Sequence, residues 1–234
     1  MNANQILEIK NHRPWPLPQA KWKFYQEWKD TVFLHWNVSA EKLRRWVPTE
    51  LEIDLIEGKA WVSLVAFRMK KVHPRGLLPL KVISDFEEIN LRTYVQFKKK
   101  AGVFFLSIEA GKKISSTIAR KVSFLPYRYS RIHRGFKEIA SSNKIFNDRF
   151  DLIFSVGPEI KNDDPINNRL VEKYALFQDY KDSIHAFEIH HPQWKLKELK
   201  IHQCTFNYPR FNDLIQGSPS KGHFSEGVNV LAWN

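Results

Sequence analysis

The 234-residue sequence contains one cysteine, two methionines and nine glycines. The single Cys204 excludes an internal disulfide and fits a reducing compartment. No apolar run is long enough to cross a bilayer, and the opening residues MNANQILEIKNHR lack the apolar core of a secretory signal. These absences predict a soluble, cytoplasmic protein without a membrane partner.

Several short motifs that mark common catalytic and nucleotide sites are also missing. The sequence holds no G-x-G-x-x-G, no P-loop, no G-x-S-x-G and no H-E-x-x-H. It implies no cofactor. No internal repeat, low-complexity tract or Ser/Gly linker interrupts the chain, which favours a single domain over residues 1–234.

Aromatic residues and positive charge are abundant. There are 17 phenylalanines and 8 tryptophans, the formal net charge is +12, and the pI is near 9.7. Such basicity raises the possibility of a nucleic-acid partner. The basic residues are spread in short clusters, however, and no helix-turn-helix, zinc-finger or RNP pattern is present. Both observations argue against nucleic acid as the main partner.

The pattern of apolar residues predicts many strands and few helices. Alternation in EEINLRTYVQF and RFDLIFSVG indicates strands, and LEIDLI with KAWVSLVAFRM is typical of a hairpin around an EG turn. Short helices are predicted after Ser39, in SSTIARKV, and over PINNRLVEKYALF after Asp164. The combination predicts an α+β fold that is mainly antiparallel, with a closed or nearly closed β-barrel.

The strand EEINLRTYVQF carries the most informative polar residues. Glu88, Asn90 and Arg92 alternate with apolar residues and therefore share one face of the strand. A solvated face of a half-buried sheet would account for them. If the sheet closes into a barrel, one face points inward, and a carboxylate beside a guanidinium would then line a pocket.

The segment FLPYRYSRIHRG, residues 124–135, allows three interpretations. As one strand it would place Tyr127, Tyr129, Arg131 and His133 on one face. That face could stack nucleic-acid bases, form the wall of a small-molecule pocket, or be solvated. The same alternation would turn Arg128 away from Tyr127, so a bulge or twist is needed for both side chains to reach one cavity.

Two other sets of residues could carry chemistry. Cys204 would share a strand face with His202, but a lone apolar cysteine is more often part of a core than a nucleophile. Glu188 and His190 share a face of another strand, and pairing of the two strands would gather four metal-ligand types. Nothing in the sequence establishes that pairing, so no metal site is predicted.

Many stretches of the chain together resemble the YqjF-like family of bacterial proteins. The match runs in order from about Arg13 to Trp233 and includes RPWPLPQAKW, FLHWNVSAEKLRRWVPTELEID, AWVSLVAFRMKKVHPRGL, FEEINLRTYV, FLPYRYSRI, LVEKYALF, HHPQWKL and HFSEGVNVLAW. That family is similar in fold to acetoacetate decarboxylase. The resemblance therefore implies a cone-shaped, mostly antiparallel β-barrel with a central pocket.

The resemblance also assigns places to individual residues. The decarboxylases carry their Schiff-base lysine in a segment of the form G-R-E-x-x-G-x-P-K-K-L-A, and ARKVSFLPYRYS fits this frame through Arg120 and Pro126. Tyr127 holds the place of the reactive lysine and Arg128 that of its basic neighbour. Glu88 fits the pocket glutamate. Because a phenol cannot form an imine, Schiff-base decarboxylation is not available at Tyr127.

The leading hypothesis is therefore a pocket that binds a small carboxylate or carbonyl compound. Arg92 or Arg128 would anchor the anion, Asn90 would contact the ligand, and Glu88 and Tyr127 would form hydrogen bonds or transfer protons. Whether catalysis occurs stays open, and a purely structural barrel is an alternative. A nucleic-acid binder that stacks bases on an exposed Tyr127 is the alternative from another class.

Overall fold

The computed structural model describes residues 1–123, 125–161, 164–181 and 183–233. In this part of the chain the strands are β1 (Phe24–Val38), β2 (Glu52–Ile53), β3 (Ala60–Pro74), β4 (Phe86–Phe97), β5 (Lys100–Ala110), β6 (Tyr127–Tyr129), β7 (Arg131–Arg134), β8 (Glu138–Asn143), β9 (Asp148–Glu159), β10 (Ala175–Tyr180), β11 (Ser183–His190), β12 (Lys197–Asn207) and β13 (Lys221–Trp233). The α-helices are α1 (Ala3–Glu8), α2 (Ala40–Arg44), α3 (Lys81–Ser84), α4 (Lys113–Ser123) and α5 (Pro165–Val171), and Pro209–Phe211 forms a 3₁₀ turn.

Seven strands of the sheet close into a ring. Their order is β1-β3-β4-β5-β10-β11-β13, and β13 pairs back with β1 from Phe24 opposite Ala232 to His35 opposite Lys221. Neighbours in the ring are antiparallel except for β5 and β10, which are parallel. The predicted α+β, mainly antiparallel fold with a nearly closed barrel is thereby confirmed.

A second group of strands covers the outside of this ring. Strand β12 pairs with β13 at Lys197 and Glu198, and the sheet continues through β9 and β8 to β7. An apolar core fills the space between the ring and this outer group. Its buried members include Val32, Leu64, Leu91, Phe150, Leu152 and Phe154.

A second apolar core lies inside the ring, where it surrounds a cavity. It includes Phe33, Val65, Phe67, Ile108, Leu176 and Val230. Strand β4 contributes to both cores because its side chains alternate. Ile89 and Leu91 belong to the outer core, whereas Phe86 and Tyr94 belong to the inner one. The polar face of β4 therefore points into the ring.

Helix starts were predictable from their capping residues. The Ser39 side chain accepts a hydrogen bond from the Lys42 amide. The side chain of Asp164, which directly precedes Pro165, accepts one from the Ile166 amide. The helix after Asp164 ends at Val171, however, and does not continue to Phe177 as predicted. Residues 175–180 form β10 instead, because residues 175–178 are all buried and such a run suits a strand with a neighbour on each side.

The predicted hairpin of LEIDLI and KAWVSLVAFRM is formed only at its EG turn, where Ile56 and Lys59 exchange two backbone hydrogen bonds. In the described residues, strand pairing between the two segments does not extend beyond this bridge. Both edges of β3 are already occupied, by β1 and by β4. Residues Glu52 and Ile53 pair instead with Gln96 and Val95 on the free end of β4.

Residues 125–134 form two short strands instead of one. Strand β6 runs parallel to β5, Ser130 interrupts the chain, and β7 pairs antiparallel with β8. Tyr127 is 8% exposed, whereas Tyr129 is 38% exposed. The shared face predicted for residues 127–133 is therefore wrong. Phe124, the first residue of that segment, lies outside the described residues.

Helix α1, which was not predicted, begins with a capping box formed by Asn2 and Gln5, whereas α3 has no side-chain cap. Helix α4 is an 11-residue element packed against α3 and β6. Within the described ranges, none of the helices combines the length and the apolar character needed to span a membrane.

Candidate functional site

The ring encloses a cavity of about 300 Å³. Most of its wall is apolar or aromatic, with contributions from Phe33, Val65, Phe67, Ile108, Leu176 and Trp194. A small set of polar side chains also lines it: Glu88, Asn90, Arg92, Tyr127, Lys173 and His191. An apolar cavity with a few convergent polar groups is the usual form of a small-molecule site.

Glu88 and Tyr127 meet inside this cavity. The Tyr127 hydroxyl donates a hydrogen bond to Glu88 Oε2 at 2.8 Å, and both side chains are buried. Strand β5 lies between them, since it pairs with β4 on one edge and with β6 on the other. The prediction that Glu88 and Tyr127 face a common interior cavity is confirmed.

The Glu88 carboxyl group has an unusual acidity. Burial raises its pKa to about 7, although hydrogen bonds from Tyr127 and Asn90 act in the opposite direction. The pKa of Tyr127 is also raised, by burial and by the neighbouring carboxylate. A carboxyl group that titrates near neutral pH can both accept and donate a proton there.

Asn90 lies beside this pair. Its Nδ2 donates to Glu88 Oε1 at 3.3 Å. Its Oδ1 is buried and has no hydrogen-bond partner among the described residues. Buried polar atoms are normally satisfied, so Asn90 Oδ1 offers an acceptor for a ligand in the cavity.

Arg92 supplies a positive charge two residues further along β4. Its side chain is buried, and its Nη2 donates to the Leu170 carbonyl at 3.2 Å. Within the described part of the chain no carboxylate pairs with Arg92, and its Nε has no hydrogen-bond partner. Buried charges are usually paired. The guanidinium therefore faces the cavity without an ion-pair partner in the described part of the chain.

Lys173 is a cavity residue that the sequence did not predict. Its Nζ lies 3.4 Å from Asp54 Oδ2 and 5.0 Å from the centre of the Tyr94 ring. Burial lowers the pKa of Lys173 to about 8, with Asp54 acting in the opposite direction. Asp54 also accepts hydrogen bonds from Arg169 at 2.8 Å and from Gln96 at 3.0 Å. The buried Asp54 carboxylate is thus the ion-pair partner of both Lys173 and Arg169.

His191 closes another part of the cavity wall. Its imidazole ring lies 5.5 Å from the indole ring of Trp194. Burial lowers the pKa of His191 to about 4. The histidine is therefore neutral at physiological pH and adds no charge to the cavity.

A series of buried hydrogen bonds leads to the backbone carbonyl that Arg92 contacts. It runs from His223 Nδ1 to His35 Nε2 at 3.3 Å, from His35 Nδ1 to Ser63 Oγ at 2.6 Å, and from Ser63 Oγ to Tyr94 OH at 2.6 Å. Tyr94 then donates to the Leu170 carbonyl at 2.8 Å. The same carbonyl receives Arg92, so this series of hydrogen bonds helps to position the guanidinium.

The structure does not bring Arg128 to the cavity. Strand alternation points it to the outer face, where its guanidinium lies 4.4 Å from the centre of the Phe146 ring and its Nη1 lies 3.9 Å from Asp148 Oδ2. Arg128 is absent from the cavity wall. Of the two predicted anion anchors, only Arg92 lies in the cavity.

The four potential metal ligands of β11 and β12 do not meet on paired strands. Both strands pair with β13, at different places. Glu188 forms ion pairs with Arg13 and Lys100 instead. In the ranges that the structure describes, no group of three or more His, Cys, Asp or Glu residues could hold a metal ion.

Burial raises the pKa of the Cys204 thiol to about 11, which makes it a poor nucleophile.

The position of Tyr127 also bears on the nucleic-acid alternative. That hypothesis required Tyr127 and Tyr129 to form one exposed stacking surface. Tyr127 is buried in the cavity and bonded to Glu88, so it cannot stack on a base at the surface.

The raised pKa of Glu88 predicts a specific pH dependence of stability. The folded pKa of about 7 exceeds the value of about 4.3 in unfolded chains, so the folded state binds more protons between these values. The free energy of unfolding then falls as pH rises through this window. From about pH 5 to about pH 8, we expect the native protein to lose roughly 2 kcal/mol relative to Glu88→Gln in urea unfolding. The same pH dependence in both proteins would contradict the buried, protonated carboxyl.

The sequence matches known proteins along most of its length. A family model, DUF2071, described as an uncharacterized conserved protein, matches residues 25–229. The chain belongs to this family. It is also 30% identical over 226 residues to the uncharacterized protein YqjF of Bacillus subtilis strain 168, a match that covers 93% of each. The resemblance to the YqjF-like family is thereby confirmed.

Solved structures share the arrangement of the strands. The enduracididine biosynthesis enzyme MppR, complexed with the condensation product of pyruvate and imidazole 4-carboxaldehyde, matches with a TM-score of 0.61 and 16% identity over 92% of this chain and 88% of that chain. Acetoacetate decarboxylase from Legionella pneumophila matches with a TM-score of 0.60 and 14% identity, over 96% of this chain and 92% of that chain. At these identities the likeness concerns the fold alone, which is acetoacetate-decarboxylase-like.

Proposed function

We propose that this protein binds a small carboxylate or carbonyl compound in the cavity, with the anionic group on Arg92. The observation that carries this proposal is the buried guanidinium that faces the cavity without a carboxylate partner in the described part of the chain. Burial of an unpaired charge is costly, and an anion from solution would offset that cost. The planar fork of arginine suits a carboxylate because it can donate two parallel hydrogen bonds.

The spacing of the polar groups defines the kind of ligand. Glu88, Asn90 and Arg92 follow one another at every second position of β4, so about 7 Å separates neighbouring Cα atoms of this set along the strand. An anion on Arg92 would place the next part of a ligand near the free Asn90 Oδ1 and then near Glu88 and Tyr127. The apolar walls on either side suit the carbon skeleton of the ligand.

Proton transfer is the chemistry that this arrangement supports. The Glu88 carboxyl titrates near neutral pH and is held by Tyr127, so it can exchange a proton with a bound carbonyl compound. Tyr127 itself has no amine and cannot form a Schiff base. The complex of MppR with a pyruvate-derived compound supports a carbonyl or carboxylate ligand for this fold.

Replacement of Arg92 by methionine tests the anchor role. We expect Arg92→Met to fold and to bind acetoacetate, pyruvate and longer 2-oxo carboxylates more weakly by about 1.5–3 kcal/mol, the usual contribution of a hydrogen bond to a charged group. Isothermal titration calorimetry with each carboxylate measures the change.

Arg128→Met is the matched control for this experiment. Arg128 lies on the outer face, so its removal should leave carboxylate affinity unchanged even if it lowers stability. Equal affinities of the native protein and Arg92→Met would show that Arg92 is not the anchor. Equal losses in both variants would show that the effect is not specific to the cavity.

Borohydride trapping tests the absence of a Schiff base. After incubation with acetoacetate and borohydride, we expect no covalent adduct on residues 121–128, because Tyr127 cannot form an imine. Lys173 is the amine that faces the cavity in the described ranges, and its pairing with Asp54 keeps it protonated below a pKa of about 8. Peptide mass spectrometry locates any adduct. An adduct on residues 121–128 or on Lys173 would contradict a binding mode without a Schiff base.

A further inference from the structure

An exposed apolar segment follows β3 and continues into the start of α3. Within residues 77–82, Leu77 is 62% exposed, Leu78 86%, Leu80 67% and Val82 70%. Ile114, at the start of α4, is also exposed. Single exposed apolar residues are common on protein surfaces, but four large aliphatic side chains within six residues form a patch that indicates an interaction site.

The segments around these apolar residues carry positive charge only. Residues 70–84 contain Lys70, Lys71, Arg75 and Lys81, and residues 111–123 contain Lys112, Lys113, Arg120 and Lys121, with no Asp or Glu in either segment. Lys70 and Lys71 form ion pairs with Asp85 and Glu27. The other six cations have no carboxylate partner in the described part of the chain. They are therefore available to an anionic surface.

The two segments are held together and border the cavity. Ser115 Oγ donates to the Ile83 carbonyl at 2.9 Å, and Lys112 Nζ donates to the carbonyls of Lys81 and Val82 at 3.4 and 3.5 Å. The cavity wall at this end includes Val72, Pro74, Ile83, Ser115 and Ile118. We call residues 75–83 together with 111–121 the mouth face, because they flank the end of the cavity that these side chains line.

We infer that the mouth face docks on an anionic lipid membrane, with Leu77, Leu78, Leu80 and Val82 inserted and the surrounding cations on the headgroups. Exposed aliphatic side chains beside basic residues are typical of surfaces that bind anionic membranes, since burial of the apolar side chains adds to the electrostatic attraction. This departs from the expectation of no membrane partner. That expectation rested on the lack of a bilayer-spanning run, which peripheral docking does not need.

A second copy of the chain fits this surface less well than a membrane does. In a symmetric dimer the same patch meets itself, and the six unpaired cations of the mouth face would then lie against like charges. An acidic soluble protein could satisfy the charges, but the aliphatic side chains stand out from the surface and would need a complementary apolar groove. A lipid surface satisfies both features without such a groove.

Co-sedimentation with vesicles tests the inference. The probes are vesicles of phosphatidylcholine alone and of phosphatidylcholine with phosphatidylserine, at low and high salt. We expect the full-length protein to bind only the anionic vesicles and to dissociate as salt increases. Leu78→Ser/Leu80→Ser should lower the partition coefficient at least about tenfold, the effect of losing the burial of one leucine side chain. Lys81→Gln/Lys121→Gln should lower it by about fivefold per charge.

Matched variants elsewhere on the surface serve as controls. Phe136→Ser/Ile145→Ser removes two apolar side chains that are at least as exposed, and Lys59→Gln/Lys144→Gln removes two exposed cations away from the mouth face. We expect the apolar control to bind like the native protein and the charge control to lose less affinity than Lys81→Gln/Lys121→Gln.

Three results would overturn the inference. The first is that the native protein fails to bind anionic vesicles at low salt. The second is that the mouth-face variants and their controls lose affinity equally, since binding would then reflect net charge alone. The third is that the native protein is an oligomer by light scattering and Leu78→Ser/Leu80→Ser dissociates it, because the apolar segment would then be a subunit interface.

Discussion

Asp54→Asn should lower the free energy of unfolding by about 3–5 kcal/mol, the usual cost of leaving a buried ion without its partner. The Asp54 carboxylate is buried and lies between Lys173 at 3.4 Å and Arg169 at 2.8 Å. Arg169 is nearly half exposed and can turn to solvent, whereas Lys173 is buried at the cavity wall. The destabilisation therefore comes mainly from the Lys173 ammonium, which would stay buried without its carboxylate partner.

The double variant Asp54→Asn/Lys173→Met is the control. It removes the ammonium together with its partner, so it should be clearly more stable than Asp54→Asn alone. The single variant should also regain stability as pH rises, because the pKa of Lys173 is already lowered to about 8 and the folded state releases its proton before the unfolded chain does. Urea unfolding at several pH values measures both effects. Equal stability of the single and double variants would show that Lys173 does not depend on Asp54.

Gly227→Ala should lower the free energy of unfolding by about 3–5 kcal/mol, at the upper end of single substitutions. Gly227 has a φ of +121°, which L-residues rarely adopt. A Cβ atom there would lie 1.9 Å from the Trp28 carbonyl oxygen and 2.9 Å from the Lys29 Cα, so the backbones of β13 and β1 would have to separate. Their pairing closes the ring, and its loss would affect the whole barrel.

Gly222→Ala in the same strand is the matched control. Its Cβ would meet the side-chain methyl carbons of Leu199, Ile201 and Leu34 at 3.1–3.5 Å, which small side-chain movements can accommodate. We expect this variant to lose about 1 kcal/mol or less, close to the typical effect of a point substitution. Denaturant midpoints of the two variants measure the difference. If Gly227→Ala is no less stable than Gly222→Ala, the close approach of β1 and β13 is not a constraint.

Features with a local period or a local cap were the ones that could be predicted. The two-residue period of β4 placed Glu88, Asn90 and Arg92 on one face, and caps marked the starts of α2 and α5. The common cavity of Glu88 and Tyr127 was predicted through the family resemblance, and not from any local pattern, since the two residues lie on strands that do not pair with each other.

The remaining features depend on contacts between distant parts of the chain. Lys173 was assigned to a helix, since residues 165–177 have a helical pattern, and only pairing with β5 and β11 turns residues 175–180 into a strand. The buried positions of His35 and Asp54 likewise depend on which strands pair. Arg128 was misplaced for a different reason: the family frame outweighed the simple alternation that turns it outward.

Closure of the ring by β1 and β13 has a consequence for the way the protein folds. Partners such as Phe24 and Ala232 are separated by almost the entire chain, so the contacts between β1 and β13 have very large sequence separations and raise the contact order of the fold. Strands β3, β4 and β5 follow β1 in sequence and can pair by short connections, whereas the outer edge of β1 must wait for the last strand. During synthesis that edge stays unpaired, which makes it the place where a nascent chain is most open to wrong strand pairing and to chaperones.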